Sequence, residues 1–338
     1  MPKTIYITTI ILISAWLLAS CDSDSADDVQ RPVEKEKQEI SIKTNVKKMT
    51  EGTTRTGFYT NENLAVTNNK FYCAAYTEGT STSPYLSTGV TYNGSHWSFD
   101  DGSHQWPSSG NLDFFAYMPV VVSGEDPYTY APPSYISSFT YSATTEPLSH
   151  TISFACSDLP MAYTSGSTTG QGSDLKEFVY ALALGQNGTD NADGVNLSFQ
   201  HPFTRIKMEL SASQVDPITI KTITFKTIKT GGTFTYNGST STWDTSEGAS
   251  ANFVATLNQT VTITNAVQTL GEPYLMIPQS WTGQIEVRII WDDWGVQKEE
   301  TLTASAPTTW KIGYSYTYSF TISKSALIVN VARFTEQW

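Results

Sequence analysis

Apolar and polar side chains alternate with a period of two along most of this chain, and that pattern leaves little besides β-sheet open to it. Ile40, Ile42 and Val46 share one face, with Ser41, Lys43 and Asn45 on the other. Ile206, Met208 and Leu210 alternate with Arg205, Lys207 and Glu209. Ile285, Val287, Ile289 and Trp291 alternate with Gln284, Glu286, Arg288 and Ile290. Tyr314, Tyr316, Tyr318, Phe320 and Ile322 make the longest clean run, and Leu327, Val329 and Val331 the last. Clusters such as Tyr92-Asn93-Gly94-Ser95 and Tyr236-Asn237-Gly238-Ser239 lie between runs and predict hairpin turns. Amphipathic helical windows are nearly absent, and the best of them, 174–184, is short. The expected fold is therefore all-β, built as antiparallel sandwiches with one wet face. A chain of 338 residues holds two such domains in tandem. The polar, turn-rich stretch 185–191 is the expected boundary, and 165–173 offers a second place for it.

Composition narrows the function. Lys and Arg number 20 against 32 Asp and Glu, a net charge of −12, and no basic cluster is present. Such a chain is a poor partner for nucleic acid, whose phosphates need cations. Nine Trp, 18 Tyr and 15 Phe are too many aromatics for a disordered chain. His96, His104, His150 and His201 are scattered, outside any HExxH pattern, and no GxSxG or P-loop occurs. The expectation is that the chain has no catalytic site, no metal and no cofactor. Trp291-Asp292-Asp293-Trp294 sets carboxylates between aromatics, as a sugar site would, but reads better as a hairpin turn. Asp190-Asn191-Ala192-Asp193-Gly194 lacks the spacing and distal Glu of a calcium loop and also reads as a turn. Cys73 and Cys156 lie in apolar, strand-like segments, where a disulfide and two buried thiols are both open.

The N-terminus reads as an address. Lys3 precedes a mostly apolar run from Ile5 to Leu18, too short for a mature membrane span. Leu18-Ala19-Ser20-Cys21 resembles a bacterial lipobox. The resemblance implies that residues 1–20 are a lipoprotein signal peptide and that Cys21 carries the lipid. The alternative is a plain secretory signal with a chance cysteine. Asp22, Asp24, Asp27 and Asp28 then make 21–38 an acidic, solvated tether. That run also resembles the surface-export signal of Bacteroidetes lipoproteins, which places the precursor at the cell outer membrane, facing outward.

Several segments in order resemble the fimbrillin (Mfa-like) family of Bacteroidetes type V pilins. Phe71-Tyr72-Cys73-Ala74-Ala75-Tyr76 is followed by Trp97-Ser98-Phe99, Gln105-Trp106-Pro107 and Leu112-Asp113-Phe114-Phe115-Ala116-Tyr117-Met118-Pro119. Asp158-Leu159-Pro160-Met161-Ala162-Tyr163 comes next. Residues 195–206, VNLSFQHPFTRI, are similar to the strand that opens the family's second domain, and Leu275-Met276-Ile277-Pro278-Gln279 to a common strand end. The resemblance implies two tandem, transthyretin-like Greek-key sandwiches, at 39–190 and 191–338. It further implies a structural or adhesive subunit of a cell-surface fimbria. In the mechanism the resemblance implies, an arginine-specific protease would remove the lipidated segment with the first strand, and the vacated groove would accept the C-terminal strand of another subunit. In this chain the displaced strand is 39–47, with Ile40, Ile42 and Val46 as its apolar face. Arg55, in Gly52-Thr53-Thr54-Arg55-Thr56-Gly57, is the candidate cleavage site, or else an ordinary loop residue. The candidate donor is 326–334, carrying Leu327, Val329 and Val331, or else an ordinary last strand. Partners would be other fimbrial subunits, the outer membrane through the lipid, and host or bacterial surface ligands. The alternative is a monomeric surface lipoprotein that binds glycans through exposed aromatics.

Overall fold

Leu112–Met118 is a strand in which every residue is buried, and its alternation shows why. In a strand, successive side chains point to opposite faces. Leu112, Phe114, Ala116 and Met118 enter one core, while Phe115 and Tyr117 enter another. The sheet around this strand is thus covered on both sides. The computed structural model describes residues 38–46, 58–124, 128–145, 147–172, 174–212, 217–261, 266–304, 308–322, 327–330 and 336–337. Among them the fold is nearly all-β, with one short helix at Asn61–Leu64.

The central sheet runs in the order Val179–Gln186, Leu112–Met118, Lys70–Thr77, Leu86–Tyr92 and Trp97–Phe99, all antiparallel. Its neighbours divide their side chains as Leu112–Met118 does. Phe71, Cys73, Ala75, Val179 and Ala181 face the first core, and Ala74 and Tyr180 the other. Ile42–Val46 and Val195–Phe199 cover the first face. A four-stranded sheet of Ser241–Asp244, Gly232–Tyr236, Leu148–Cys156 and Ile136–Thr145 covers the second. The expected wet face is therefore replaced, over most of this sheet, by a third layer. Local alternation assigns each side chain to a face but carries no information on what lies above it.

A further core lies between two more sheets. One runs Ala162–Thr164, Ser250–Val261, Ile218–Lys229, Ile285–Asp293, Val296–Ala304. The other is built on Thr204–Ala212 and Tyr314–Ile322, with Leu327–Asn330 at its edge. The sheets are not purely antiparallel. Ile42–Val46 runs parallel to Val195–Phe199, Ala162–Thr164 to Ser250–Val261, and Thr204–Ala212 to Tyr314–Ile322. Each of these pairs joins segments far apart in sequence, where no short hairpin imposes the antiparallel sense.

One local expectation changes in the structure, and two turns form where the sequence predicts them. The expected helical window 174–184 instead runs into the strand Val179–Gln186, because Phe178, Tyr180 and Leu182 face one layer and Val179, Ala181 and Ala183 the other. The polar stretch 187–194 closes as a turn, with the Asn187 side chain accepting from the Asp190 N–H at 3.0 Å. It delivers Val195, Leu197 and Phe199 back into the first core, and the described residues lie in one compact unit. Asp292 and Asp293 end a strand whose hairpin tip is Trp294-Gly295, both at positive φ (55° and 77°), as a tight type I′ connection requires.

One residue of Leu112–Met118 breaks the apolar rule. Asp113 is fully buried on the face toward the four-stranded sheet. Its carboxylate accepts from the Gly79 N–H at 3.1 Å, the Gly185 N–H at 2.8 Å and the Tyr141 hydroxyl at 3.1 Å. His150 lies 3.3 Å away. Both glycines are at positive φ, which turns their N–H groups toward the carboxylate. Removing the acceptor strands several buried donors, each costing about 1–3 kcal/mol. Asp113→Ala should therefore lower the unfolding free energy in urea by about 3 kcal/mol or more, and Asp113→Asn by less. A loss under about 1 kcal/mol for Asp113→Ala would show that these bonds do not hold the turns.

Candidate assembly site at the first and last strands

Residues 38–46 form an extended segment held on both sides. At its start, the Ile40 N–H donates to His104 O at 2.8 Å and the Trp106 N–H to Gln38 O at 2.9 Å. Further on, the Val195 N–H donates to Ser41 O at 2.8 Å. Ile42–Val46 then lies parallel to Val195–Phe199, from Ile42 opposite Val195 to Val46 opposite Phe199. Ile40, Ile42 and Val46 are only 5, 6 and 3 % exposed. They share the first core with Trp97, Trp106, Leu197 and Phe199. Each such side chain contributes about 1.5–3 kcal/mol by leaving water. The outward face adds only the exposed pair Lys43–Asp193 at 3.7 Å and a 3.1 Å bond from Asn45 to Asn196. Exposed contacts of this kind contribute little. Three aliphatics and a backbone ladder are thus what keep the segment in its slot.

Beyond Val46 the chain continues through 47–57, which includes Arg55 and lies outside the described residues. It resumes at a strong anchor. Phe58 and Tyr59 are buried, and the Tyr59 N–H donates to the buried Glu177 carboxylate. Glu177 Oε1 is 2.9 Å from His201 Nδ1. The Arg205 guanidinium lies over the Phe58 ring at 5.7 Å, and its Nε donates to Ser315 Oγ at 3.1 Å. Thr60 and Asn63 then form a reciprocal cap on the helix Asn61–Leu64. Asn61 Oδ1 accepts from the Val46 N–H at 2.6 Å and so marks the end of the first strand.

This anchor was not foreseen from sequence. Its only signal is a carboxylate and a guanidinium, Glu177 and Arg205, inside runs that are otherwise strand-like. Burial raises the Glu177 carboxyl above its ordinary value, although His201, Arg205 and the Tyr59 N–H all act to lower it.

The last strand lies elsewhere. Leu327–Asn330 pairs antiparallel with Tyr314–Ile322, placing Leu327 opposite Ile322 and Val329 opposite Phe320. It is an edge strand, and Glu336–Gln337 pairs further along the same neighbour. Val331, Cys21 and the acidic tether up to residue 37 lie outside the described residues. The structure therefore gathers Ile40, Ile42 and Val46 into one slot and puts the terminal strand on a different sheet. Cys73 and Cys156 are free and buried in different cores, and burial pushes the Cys156 thiol up to about 12.

A sequence model described as fimbrillin-like matches residues 53–338. The fold is similar to that of a fimbrial protein from Bacteroides vulgatus ATCC 8482, at 15% identity, 88% coverage of this chain, 99% of that chain and a TM-score of 0.57. A candidate cell adhesion protein from Bacteroides uniformis ATCC 8492 gives 14% identity, 88% and 98% coverage and a TM-score of 0.51. Another from Bacteroides ovatus ATCC 8483 gives 13% identity, 90% and 99% coverage and a TM-score of 0.50. At these identities the likeness is one of fold. No curated protein sequence is significantly similar.

The anchor makes a pH prediction. Glu177 has a folded pKa above its unfolded value, so its contribution to stability is fullest below the unfolded pKa of about 4.3 and is lost as pH rises through the folded one. Glu177→Gln, which stays neutral, should therefore gain stability relative to the parent between about pH 4 and about pH 7. Thermal denaturation at the two pH values checks this. An unchanged difference between parent and variant would contradict it.

Proposed function

The chain belongs to the fimbrillin-like family, and from that premise we propose that it is a structural and adhesive subunit of a cell-surface fimbria. It is made as an outer-membrane lipoprotein anchored through Cys21 and assembles by strand exchange with other fimbrial subunits. It is not an enzyme. The observation that carries this reading is the way residues 38–46 and 58–63 are held. The first segment supplies three buried aliphatics to a core otherwise built from later residues. The second is fixed separately, by Glu177, Arg205 and its own cap. A cut at Arg55, between them, leaves the anchor whole and the plug held by non-covalent contacts alone.

Losing the plug exposes an apolar slot beside Val195–Phe199 with unpaired backbone groups, which an incoming strand would satisfy. The plug 38–46 and the donor 326–334 are each nine residues long, about 30 Å when extended. Leu327, Val329 and Val331, two residues apart on one face, would enter the slot that Ile40, Ile42 and Val46 leave. The backbone bonds net about 0.5–1.5 kcal/mol each. The donor starts at a sheet edge, so its departure opens no interior strand position in its own domain. Slot and donor lie at different places on one molecule, so the contact is head-to-tail and propagates rather than closing. The net charge of −12 disfavours association by general stickiness.

Two measurements follow. Cys21→Ala should move the precursor out of the membrane fraction and abolish lipid labelling, and unchanged labelling would remove the anchor. For exchange, folded precursor lacking 326–338 is treated with an arginine-specific protease and mixed with a peptide of residues 326–338. The expected result is a core beginning at Thr56 that captures the peptide and releases the N-terminal fragment, while uncut protein captures none. Resistance at Arg55, or a cut core that never takes the peptide, defeats the strand-exchange reading.

A further inference from the structure

The four-stranded layer covers the outer face of the central sheet only part of the way. It ends at the edge strand Ile136–Thr145. Beyond that edge the rings of Tyr72 and Tyr76, on Lys70–Thr77, remain half-buried. The hairpin of Val121–Ser123 and Thr129–Ala131 stands on the other side. Between them lies an open groove of about 830 Å³, within the range of small-ligand sites. Although the chain carries −12, none of the side chains lining this groove is charged. Tyrosine and phenylalanine residues line it together with serines and threonines.

We propose that this groove is a binding site for a neutral oligosaccharide. Its rings are already locked. Tyr76 stacks on Phe115 at 5.9 Å and 13°, and Tyr72 packs on Tyr117 at 5.0 Å. Fixed ring faces receive the C–H face of a pyranose with little ordering cost. The wall is fixed as well. Tyr130 lies so close over Gly89 that a Cβ there would come within 2.3 Å of its ring. Its hydroxyl donates to Asp100 at 2.7 Å, and its carbonyl accepts from the Tyr117 hydroxyl at 3.2 Å. Lys70 neutralises Asp100 at 2.7 Å, which keeps a carboxylate's charge out of the wall.

The polar groups select the class of ligand. Ser138 and Thr140 lie along one bank on the edge strand, and on the floor the Ser87 and Tyr72 hydroxyls are 2.7 Å apart. A hydroxyl both donates and accepts, which matches the dense hydroxyls of a sugar. An uncharged lining matches a neutral one. The site does not depend on strand exchange. Tyr72, Tyr76 and Phe115 lie on the opposite face of the central sheet from the first strand, so the groove persists whether or not that strand is removed.

The test is calorimetric titration of the purified chain with neutral hexasaccharides of glucose, mannose and galactose. Saturable binding near one site per chain is expected for at least one of them. Tyr76→Ala and Tyr128→Ala should each weaken it about tenfold, the scale of one lost aromatic contact. Tyr128 is half exposed, so its variant keeps the fold. Trp294→Ala, at an exposed hairpin tip away from the groove, should leave binding intact. Three results overturn the proposal. They are no saturable heat with any of the sugars, equal binding by parent and both tyrosine variants, and tighter capture of an extended neutral peptide than of every sugar. The last would assign the groove to strand addition along Ile136–Thr145.

Discussion

A sheet that must be covered on both faces is the constraint on which the rest of this protein depends. Leu112–Met118 buries side chains on both of its faces, so each side of the sheet needs its own layer. The two layers differ in kind. The inner cover includes a segment from the start of the chain, held by three aliphatics and a ladder. The outer cover is a sheet drawn from both halves of the chain, and it stops short. Removing the first cover would give the proposed slot for a strand, and the incomplete second cover leaves an open aromatic groove. Both proposed activities thus follow from how one sheet is closed.

Buried polar groups sit where these layers join. Asp113 fixes the glycine turns at Gly79 and Gly185 and meets Tyr141 and His150 of the outer cover. Glu177, His201 and Arg205 hold the chain where it returns after Arg55. Buried ion pairs rarely add net stability, because desolvation offsets their attraction. Here they fix position. Tyr59 has one place to go, whatever happens to the segment before it.

Much of the fold was legible because the determinants were local. Asn93 and Asn237 were read as hairpin turns, and each side chain accepts from backbone N–H groups two and three residues on. The apolar face Ile40, Ile42, Val46 was read from alternation and is buried as a unit. What stayed hidden was set by partners distant in sequence. Residues 174–184 carry a pattern that fits a helix or a doubly buried strand, and only the two covering layers decide. The parallel sense of Ile42–Val46 comes from Val195–Phe199, more than a hundred residues away. Glu177 and Arg205 look like surface charges until the chain brings Phe58 and Tyr59 between them. The groove was foreseen only as a generic use of exposed aromatics, since no single segment contains it.

The central claim is that a partner's last strand takes the place of the first one, and cross-linking between two copies tests it most directly. Asn196 lies on the outward face of the strand that borders the slot. In the sequence, Ile328 and Asn330 alternate with Leu327, Val329 and Val331. Adjacent strands are about 4.8 Å apart, within reach of a disulfide. Mixing Asn196→Cys protein with Ile328→Cys or Asn330→Cys protein, under oxidising conditions and after cleavage at Arg55, should give a disulfide-linked dimer of unlike copies. The same mixture before cleavage should give none. A mixture that fails to cross-link after cleavage, or that cross-links equally without it, would contradict the account.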